Sequence, residues 1–277
     1  MNLALFPTDL AMVNRFADTG IHTFVVDWEC RGKHARQVSA DTEINDSSII
    51  DLGAVTRLAE ERVLCRLNAW DQNASPREIE TAIGAGSDLL MLPMVRAVEE
   101  VEQYLKCVDS RVATGILVET TCAVTLAPTL ARLPVAPVYV GLNDLMIDRG
   151  SETLFEPLVD GTIDELAAAF ADREFGFGGL TVLELGSPIP CQLLLLELIR
   201  TGASMTFLRR SFRADICGRD AEREIMRLHE ACAAASRRTT AEVNRDRQAL
   251  VNAVSGNGHG NILGGGWNSP VPEDVAP

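Results

Sequence analysis

Aromatic side chains are scarce, at 5% of 277 residues, so a core must be built mainly from aliphatic side chains. The material for one is present: 47% of the chain is hydrophobic and the mean hydropathy is +0.08, which excludes global disorder. Positive charge is also short. Twenty-five basic residues face 39 acidic ones, a net charge of −14. A surface this acidic is a poor binder of nucleic-acid phosphates or anionic membrane, although a few local arginines can still hold a small anion. No apolar run reaches the length of a membrane span. The N-terminal segment carries Pro7 and Asp9 where a secretion signal has a basic stretch and an apolar core. The sequence therefore reads as a soluble, cytoplasmic protein that binds neither nucleic acid nor membrane.

Cysteine pairs are missing too. The seven cysteines (30, 65, 107, 122, 191, 217 and 232) are odd in number, evenly spread and form no C-x-x-C. Reduced thiols fit this better than a disulfide framework, and Cys30 with His34 lacks the second pair that a zinc site needs. Nor is there a G-x-G-x-x-G turn: Gly176-Phe177-Gly178-Gly179 does not spell it, and reads as a structural turn.

What the chain does contain is an alternation. Apolar, often β-branched runs at 3–6, 23–27, 63–67, 88–92, 114–118, 137–141, 180–184 and 205–209 suit strands covered on both faces. Helical patterns separate most of them. Ser75-Pro76-Arg77-Glu78 and Thr162-Ile163-Asp164-Glu165 read as capping boxes, Val98, Val101, Leu105 and Val108 form an apolar stripe, and a helix from Pro190 stops at Gly202. Eight strands with intervening helices predict an α/β fold, a (β/α)8 TIM barrel with an additional C-terminal helix. The expected divisions are a barrel over 1–218, a helical extension over 219–254 and a Gly/Pro-rich tail over 255–277. The extension must pack on something, either a neighbouring subunit or its own barrel.

In such a barrel the carboxyl ends of the strands form the active rim. Those ends carry Asp27 and Glu29, Arg66, Pro93, Glu119, Asn143 and Asp144, Glu184, and Arg209 with Arg210, whereas the opposite ends (Gly20, Gly86, Gly202) are bland. Glu119 and Asp144 end consecutive strands ~4.8 Å apart. Two carboxylates that close repel unless a proton or a cation lies between them, and oxygen-only ligation suits Mg²⁺ or Mn²⁺. The competing reading is that each merely caps the next helix; with Arg66 alongside, the metal reading is favoured. Arg66 offers a planar fork to a carboxylate or an enolate oxygen. Asp27 and Glu29, two apart on a strand, can both face the mouth and either hold water, orient Arg66 or Lys33, or join a buried ion-pair network. Arg209 and Arg210 should point to opposite sides of their strand, one of them toward an anionic group near Gly186 and Ser187.

Five landmarks stand in order at strand ends: V-D-W-E at 26–29, C-R-L-N at 65–68, A-G-S-D-L-L-M-L-P-M at 85–94, V-E-T at 118–120 and G-L-N-D-L at 141–145. With them, residues 3–215 resemble the HpcH/HpaI aldolase and citrate lyase beta-subunit family, of the phosphoenolpyruvate/pyruvate barrels. The resemblance implies a metal-dependent carbon–carbon lyase, commonly a homo-oligomer (trimer or hexamer). Glu119 and Asp144 match its metal-ligand carboxylates, Arg66 the arginine that binds the oxo acid, and Asp27 and Glu29 the acidic pair beyond it. Asn143 and Pro93 are further candidates for substrate contact, with Lys33, Glu184 and Arg210 behind them. One position departs: the aldolases carry D-G-E-H, and here Cys30 replaces that histidine. The expected reaction is thus cleavage of a small hydroxy acid to the enolate of pyruvate or a similar 2-oxo acid. A thioester lyase or hydrolase of the citrate lyase or malyl-CoA type, and a non-catalytic homologue that binds metal and oxo acid, are the alternatives.

Overall fold

A computed structural model supplies the coordinates and describes residues 1–30 and 49–256. Eight strands, β1 (Asn2–Leu5), β2 (Thr23–Asp27), β3 (Arg62–Arg66), β4 (Leu89–Leu92), β5 (Ala113–Val118), β6 (Val138–Val140), β7 (Phe175–Phe177) and β8 (Met205–Phe207), pair in parallel in chain order. β8 bonds back to β1, so the sheet closes into the expected barrel and has no edge. Around it lie α1 (Leu10–Phe16), α2 (Ile49–Leu58), α3 (Ser75–Gly84), α4 (Val98–Val108), α5 (Thr121–Leu130), α6 (Leu142–Arg149), α7 (Thr162–Ala169), α8 (Cys191–Arg200) and the short α9 (Phe212–Asp215).

The two-residue period of the strands divides their side chains between two layers. One set, including Phe24, Val26, Val63, Cys65 and Leu90, points outward and packs with the helices in the main core. The other, including Val25, Leu64, Met91, Leu117, Tyr139 and Phe207, fills the barrel interior as a separate cluster. Each such fully buried large side chain contributes about 1.5–3 kcal/mol. The inward phase then runs on into the rim: Val25 leads to Asp27 and Glu29, Leu64 to Arg66, Leu117 to Glu119 and Tyr139 to Gly141. An apolar plug in the barrel thus carries an ionisable layer directly above it.

Several expectations need correction. The seventh strand is not 180–184 but Phe175-Gly176-Phe177, the segment read as a turn. A Cβ at position 176 would lie 2.2 Å from the Met205 carbonyl oxygen, so the close approach of β8 demands the glycine that disguised the strand. Residues 180–184 instead follow β7 without forming a strand, keeping only a single bridge from Leu180 to Leu208, with Leu180 and Val182 buried in the main core. Neither capping box forms. Glu78 reaches away to Asn68, and the N-cap of α7 is Gly161, with Thr162 accepting from Arg149 and Asp164 taken by Arg200. The bottom rim is not bland: Arg62 makes a bidentate pair with Glu174, which also accepts from Asn2.

The extension past Gly218 is two helices, α10 (Ala221–Ala235) and α11 (Thr240–Val254), both against α8, with α10 also touching α1. Arg238 donates to the Leu196 carbonyl at 2.7 Å and Arg247 pairs with the buried Glu197, so the extension rests on its own barrel. All seven cysteines are free thiols. Among the described residues no helix is long and apolar enough to cross a membrane.

Candidate active site

Asp27 and Arg66 are register partners on β2 and β3, so their side chains leave the sheet side by side. The guanidinium closes on the carboxylate as a fork, Nε to Oδ1 at 2.8 Å and Nη2 to Oδ2 at 2.6 Å. Nη1 lies 3.4 Å from Glu29 Oε2, and the Glu29 amide donates to Asp27 Oδ1 at 3.1 Å. The Phe6 ring supports the guanidinium, with Cζ 5.6 Å from its centroid. Burial alone would lower the pKa of Arg66, and Asp27 and Glu29 more than reverse this, so the arginine stays charged. Of the partners considered for the acidic pair, Arg66 is held by both residues, while Arg31, Lys33 and Arg36 lie outside the described residues.

Glu119 follows β5 and is 1% exposed. It does not cap the next helix; Thr120 does, its hydroxyl accepting from Ala123. Instead Glu119 Oε1 accepts from the Met94 amide at 2.8 Å. Met94 adopts a left-handed φ of 55°, a conformation costly for a side chain with a Cβ, and it faces its N–H toward the carboxylate. On the other side, a Cβ at Gly141 would lie 2.4 Å from Glu119 Oε2, so glycine is required there. Burial, then Glu29, then Asp144 raise the pKa of Glu119 to about 8, against the opposing pull of Arg66 and the Met94 amide. Asp144 enters from the first turn of α6, beyond the neighbouring strand β6.

A divalent cation fits this arrangement. The carboxylates are oxygen donors, and their mutual repulsion is what a cation would relieve. Among the described residues no three His, Cys, Asp or Glu side chains gather to hold a metal, so the protein would supply two ligands and leave the rest of an octahedron to water and substrate oxygens.

Both groups line a cavity of about 860 Å³ that opens at the carboxyl ends of the strands. Asp27, Arg66, Glu119, Asn143, Asp144 and Arg210 are on its wall. Glu29 lies behind Arg66. Pro93 is buried and does not line the cavity; its neighbour Met94, also off the wall, donates its amide to Glu119. Glu184 turns outward to an ion pair with Arg227 of α10 and is no part of the wall. Lys33, His34 and the basic residues around them lie outside the described residues. Arg209 and Arg210 both face the cavity rather than opposite sides, because β8 ends at Phe207 and the chain has left strand geometry where they stand.

Several participants escaped the sequence reading. Asn68 clamps the segment after β2, accepting from Cys30 N at 2.9 Å and donating to the Trp28 carbonyl at 2.9 Å, while Glu78 holds Asn68 in turn. Tyr139 stacks on Phe207 with ring centroids 3.9 Å apart, Phe207 meets Phe6 edge-on, and the three rings floor the cavity. Their inward phase was the available signal. Arg213, on α9, joins the wall beside Arg209 and Arg210.

No family model and no curated protein matches the sequence. Solved structures do match in fold. RipC from Yersinia pestis superposes with a TM-score of 0.55 at 16% identity, covering 88% of this chain and 98% of its own. A citrate lyase from Burkholderia xenovorans LB400 gives 0.56 at 16%, covering 92% and 82%. The citrate lyase beta subunit of M. tuberculosis, complexed with oxaloacetate and magnesium, gives 0.55 at 17%, covering 86% and 96%. The chain therefore shares the barrel of citrate lyase structures, the fold its strand-end motifs resemble.

Proposed function

We propose that the protein is a divalent-metal-dependent carbon–carbon lyase acting on a hydroxy acid whose donor half is pyruvate or a similar 2-oxo acid. The observation that carries this reading is that Glu119 and Asp144 line one cavity wall, with Asp144 among the groups that raise the pKa of Glu119, beside an arginine locked in place by Asp27. The oxaloacetate and magnesium held by a structure of the same fold agree with it.

Glu119 and Asp144 would hold Mg²⁺ or Mn²⁺, which when bound polarises the carbonyl of the oxo acid. Cleavage removes the proton of the hydroxyl at C4, breaks the C3–C4 bond and leaves an aldehyde. The electron pair passes to C3 and the C2 oxygen as an enolate, which then takes a proton at C3. Arg66 stabilises that oxygen. Asp27 occupies two of its five N–H donors, so the guanidinium cannot swing, and the charge waits where the oxyanion develops. The aromatic floor of Phe6, Tyr139 and Phe207 excludes water from below. Tyr139 is not the base: burial raises its pKa, and its hydroxyl donates to the Gly178 carbonyl.

The test is deuterium exchange at the methyl group of pyruvate in D₂O, followed by NMR with Mg²⁺ or Mn²⁺ and again with EDTA. Metal-dependent exchange, lost in Arg66→Ala, is the expected result. Exchange that survives EDTA, or a Glu119→Ala/Asp144→Ala variant with full retro-aldol activity, would overturn it. Cys30 in place of a histidine favours a second reading, metal and oxo-acid binding without turnover. That reading predicts pyruvate binding with no exchange.

A further inference from the structure

The cavity is larger than an oxo acid needs. Its volume of about 860 Å³ falls in the range that holds drug-sized ligands, about 300–1,000 Å³, whereas pyruvate is a three-carbon acid. Much of the wall beyond the carboxylates and Arg66 is apolar. Leu154 and Phe155 come from the segment after α6, Leu185 and Pro188 from the segment after β7, and Leu194 from α8. Among the described residues four large apolar side chains are exposed, Leu10, Leu58, Leu185 and Met226, and of these Leu185 alone lines the cavity. Pro188, close by in the chain, is exposed as well. Backbone bonds fix Leu185 at the mouth: its amide donates to the Val182 carbonyl at 2.9 Å, and its carbonyl accepts from Cys191 N at 2.8 Å. The polar groups of this part of the wall are already occupied. Arg209 donates to Ser211 Oγ at 2.9 Å, the Thr181 hydroxyl donates to Asp215, and Arg210 and Arg213 are engaged within the protein too. Single apolar side chains scattered on a surface need no partner, but several gathered on a concave wall are what the apolar part of a ligand covers.

We propose that this apolar wall binds the half of the substrate that leaves as the aldehyde, and that this half carries an apolar body of about the size of a phenyl group. The substrate class is then a 4-hydroxy-2-oxo acid with an aryl or branched alkyl group on C4. The inference rests on the lyase reading and specifies its acceptor. Glu119, Asp144 and Arg66 take the oxo-acid end, and they line the same cavity as Leu154, Phe155 and Leu185. Covering these side chains with a phenyl group removes apolar surface from water on both partners. A carboxylate or hydroxyl in that place gains nothing from them and loses its own hydration. The cleavage step is the one given above: the C4 hydroxyl loses its proton, the C3–C4 bond breaks, and C4 leaves as the carbonyl carbon of the aldehyde with its apolar group unchanged.

The experiment titrates the full-length protein, with Mg²⁺ present, with 2-oxo-4-phenylbutanoate, which lacks the C4 hydroxyl and so binds without being cleaved. Calorimetry compares it with pyruvate and with 2-oxopentanedioate, which carries a carboxylate where the probe carries the ring. The phenyl ligand should bind at least about tenfold more tightly than either. In Leu185→Gln that advantage should shrink at least about threefold. Leu185 is exposed, so the thermal midpoint of the variant should match the wild type. No advantage over pyruvate, tighter binding of 2-oxopentanedioate, or an advantage unchanged in Leu185→Gln overturns the apolar subsite. Propionyl-coenzyme A binding at least about tenfold more tightly than the phenyl ligand, and weakened by Leu185→Gln, overturns the aldehyde assignment in favour of a thioester. Pyruvate exchange in the wild type reports separately on the lyase reading. Exchange without a phenyl advantage sinks the subsite alone, and tight phenyl binding without exchange sinks the lyase reading alone.

Discussion

The acidic arc of the mouth, built on β2, β3, β5 and β6, and the basic arc beyond β7 and β8 are made differently. In the first, the charges of Asp27, Glu29 and Glu119 are almost wholly buried and held by hydrogen bonds at 2.6–3.1 Å, on or directly after strands of three to six residues. In the second, β7 and β8 are three residues each, and the arginines stand past their ends, half-buried or exposed. Rigid, desolvated charge is what an oxyanion or a metal needs, since low dielectric strengthens the interaction and leaves nothing to reorganise. Charge on loops can adapt to the rest of a substrate at little cost in stability. One rim thereby combines a buried arc held by strands with a more exposed arc carried past strand ends.

Breaking the rigid arc should have the largest effect. Arg66→Ala removes the guanidinium that pairs with the buried Asp27 and Glu29, which should cost about 3–5 kcal/mol in denaturant unfolding and abolish pyruvate exchange. Arg66→Lys keeps the charge but not the fork, so exchange should fall by about 10²–10³ while the protein stays folded. A lysine variant with wild-type exchange would show that charge alone suffices. Next, Gly141→Ala must displace Glu119 Oε2, and metal affinity measured by calorimetry should drop about 10–100-fold.

The pH dependence sharpens the same arc. Without metal, folded Glu119 keeps its proton up to about 8, because of burial and the charges of Glu29 and Asp144, whereas an unfolded glutamate loses it near ~4.3. Between those values the folded state binds the additional proton, so this group lowers stability progressively as pH rises through the window. A metal displaces that proton. Mg²⁺ affinity should therefore climb about tenfold per pH unit toward about 8 and level off above it, and a flat profile would refute the paired-carboxylate site. A smaller effect is expected at Asn68→Ala, which frees Cys30 N and the Trp28 carbonyl and should cost about 1–3 kcal/mol.

The two arcs also differ in how far the sequence disclosed them. Asp27, Arg66 and Glu119 were readable because each continues an apolar run whose two-residue period sends every second side chain into the barrel. The same rule failed at β7, where Gly176 is demanded by the Met205 carbonyl and reads as a turn. It failed again at Arg209 and Arg210, where alternation was assumed beyond the end of the strand. Glu78 was misassigned because a capping box is a local pattern, and the partner it found, Asn68, comes from the preceding strand end.

By itself, then, the sequence determined the alternation of strands and helices apart from the position of β7, the closure into a barrel, and the ionisable layer above an apolar plug, since all three follow from periodicity and the length of apolar runs. Only the tertiary structure decided that Asp27 orients Arg66, that Met94 presents its amide to Glu119, that Gly141 must lack a Cβ, and that three arginines converge on one wall. Those depend on distances between segments far apart in the chain, which local pattern does not encode.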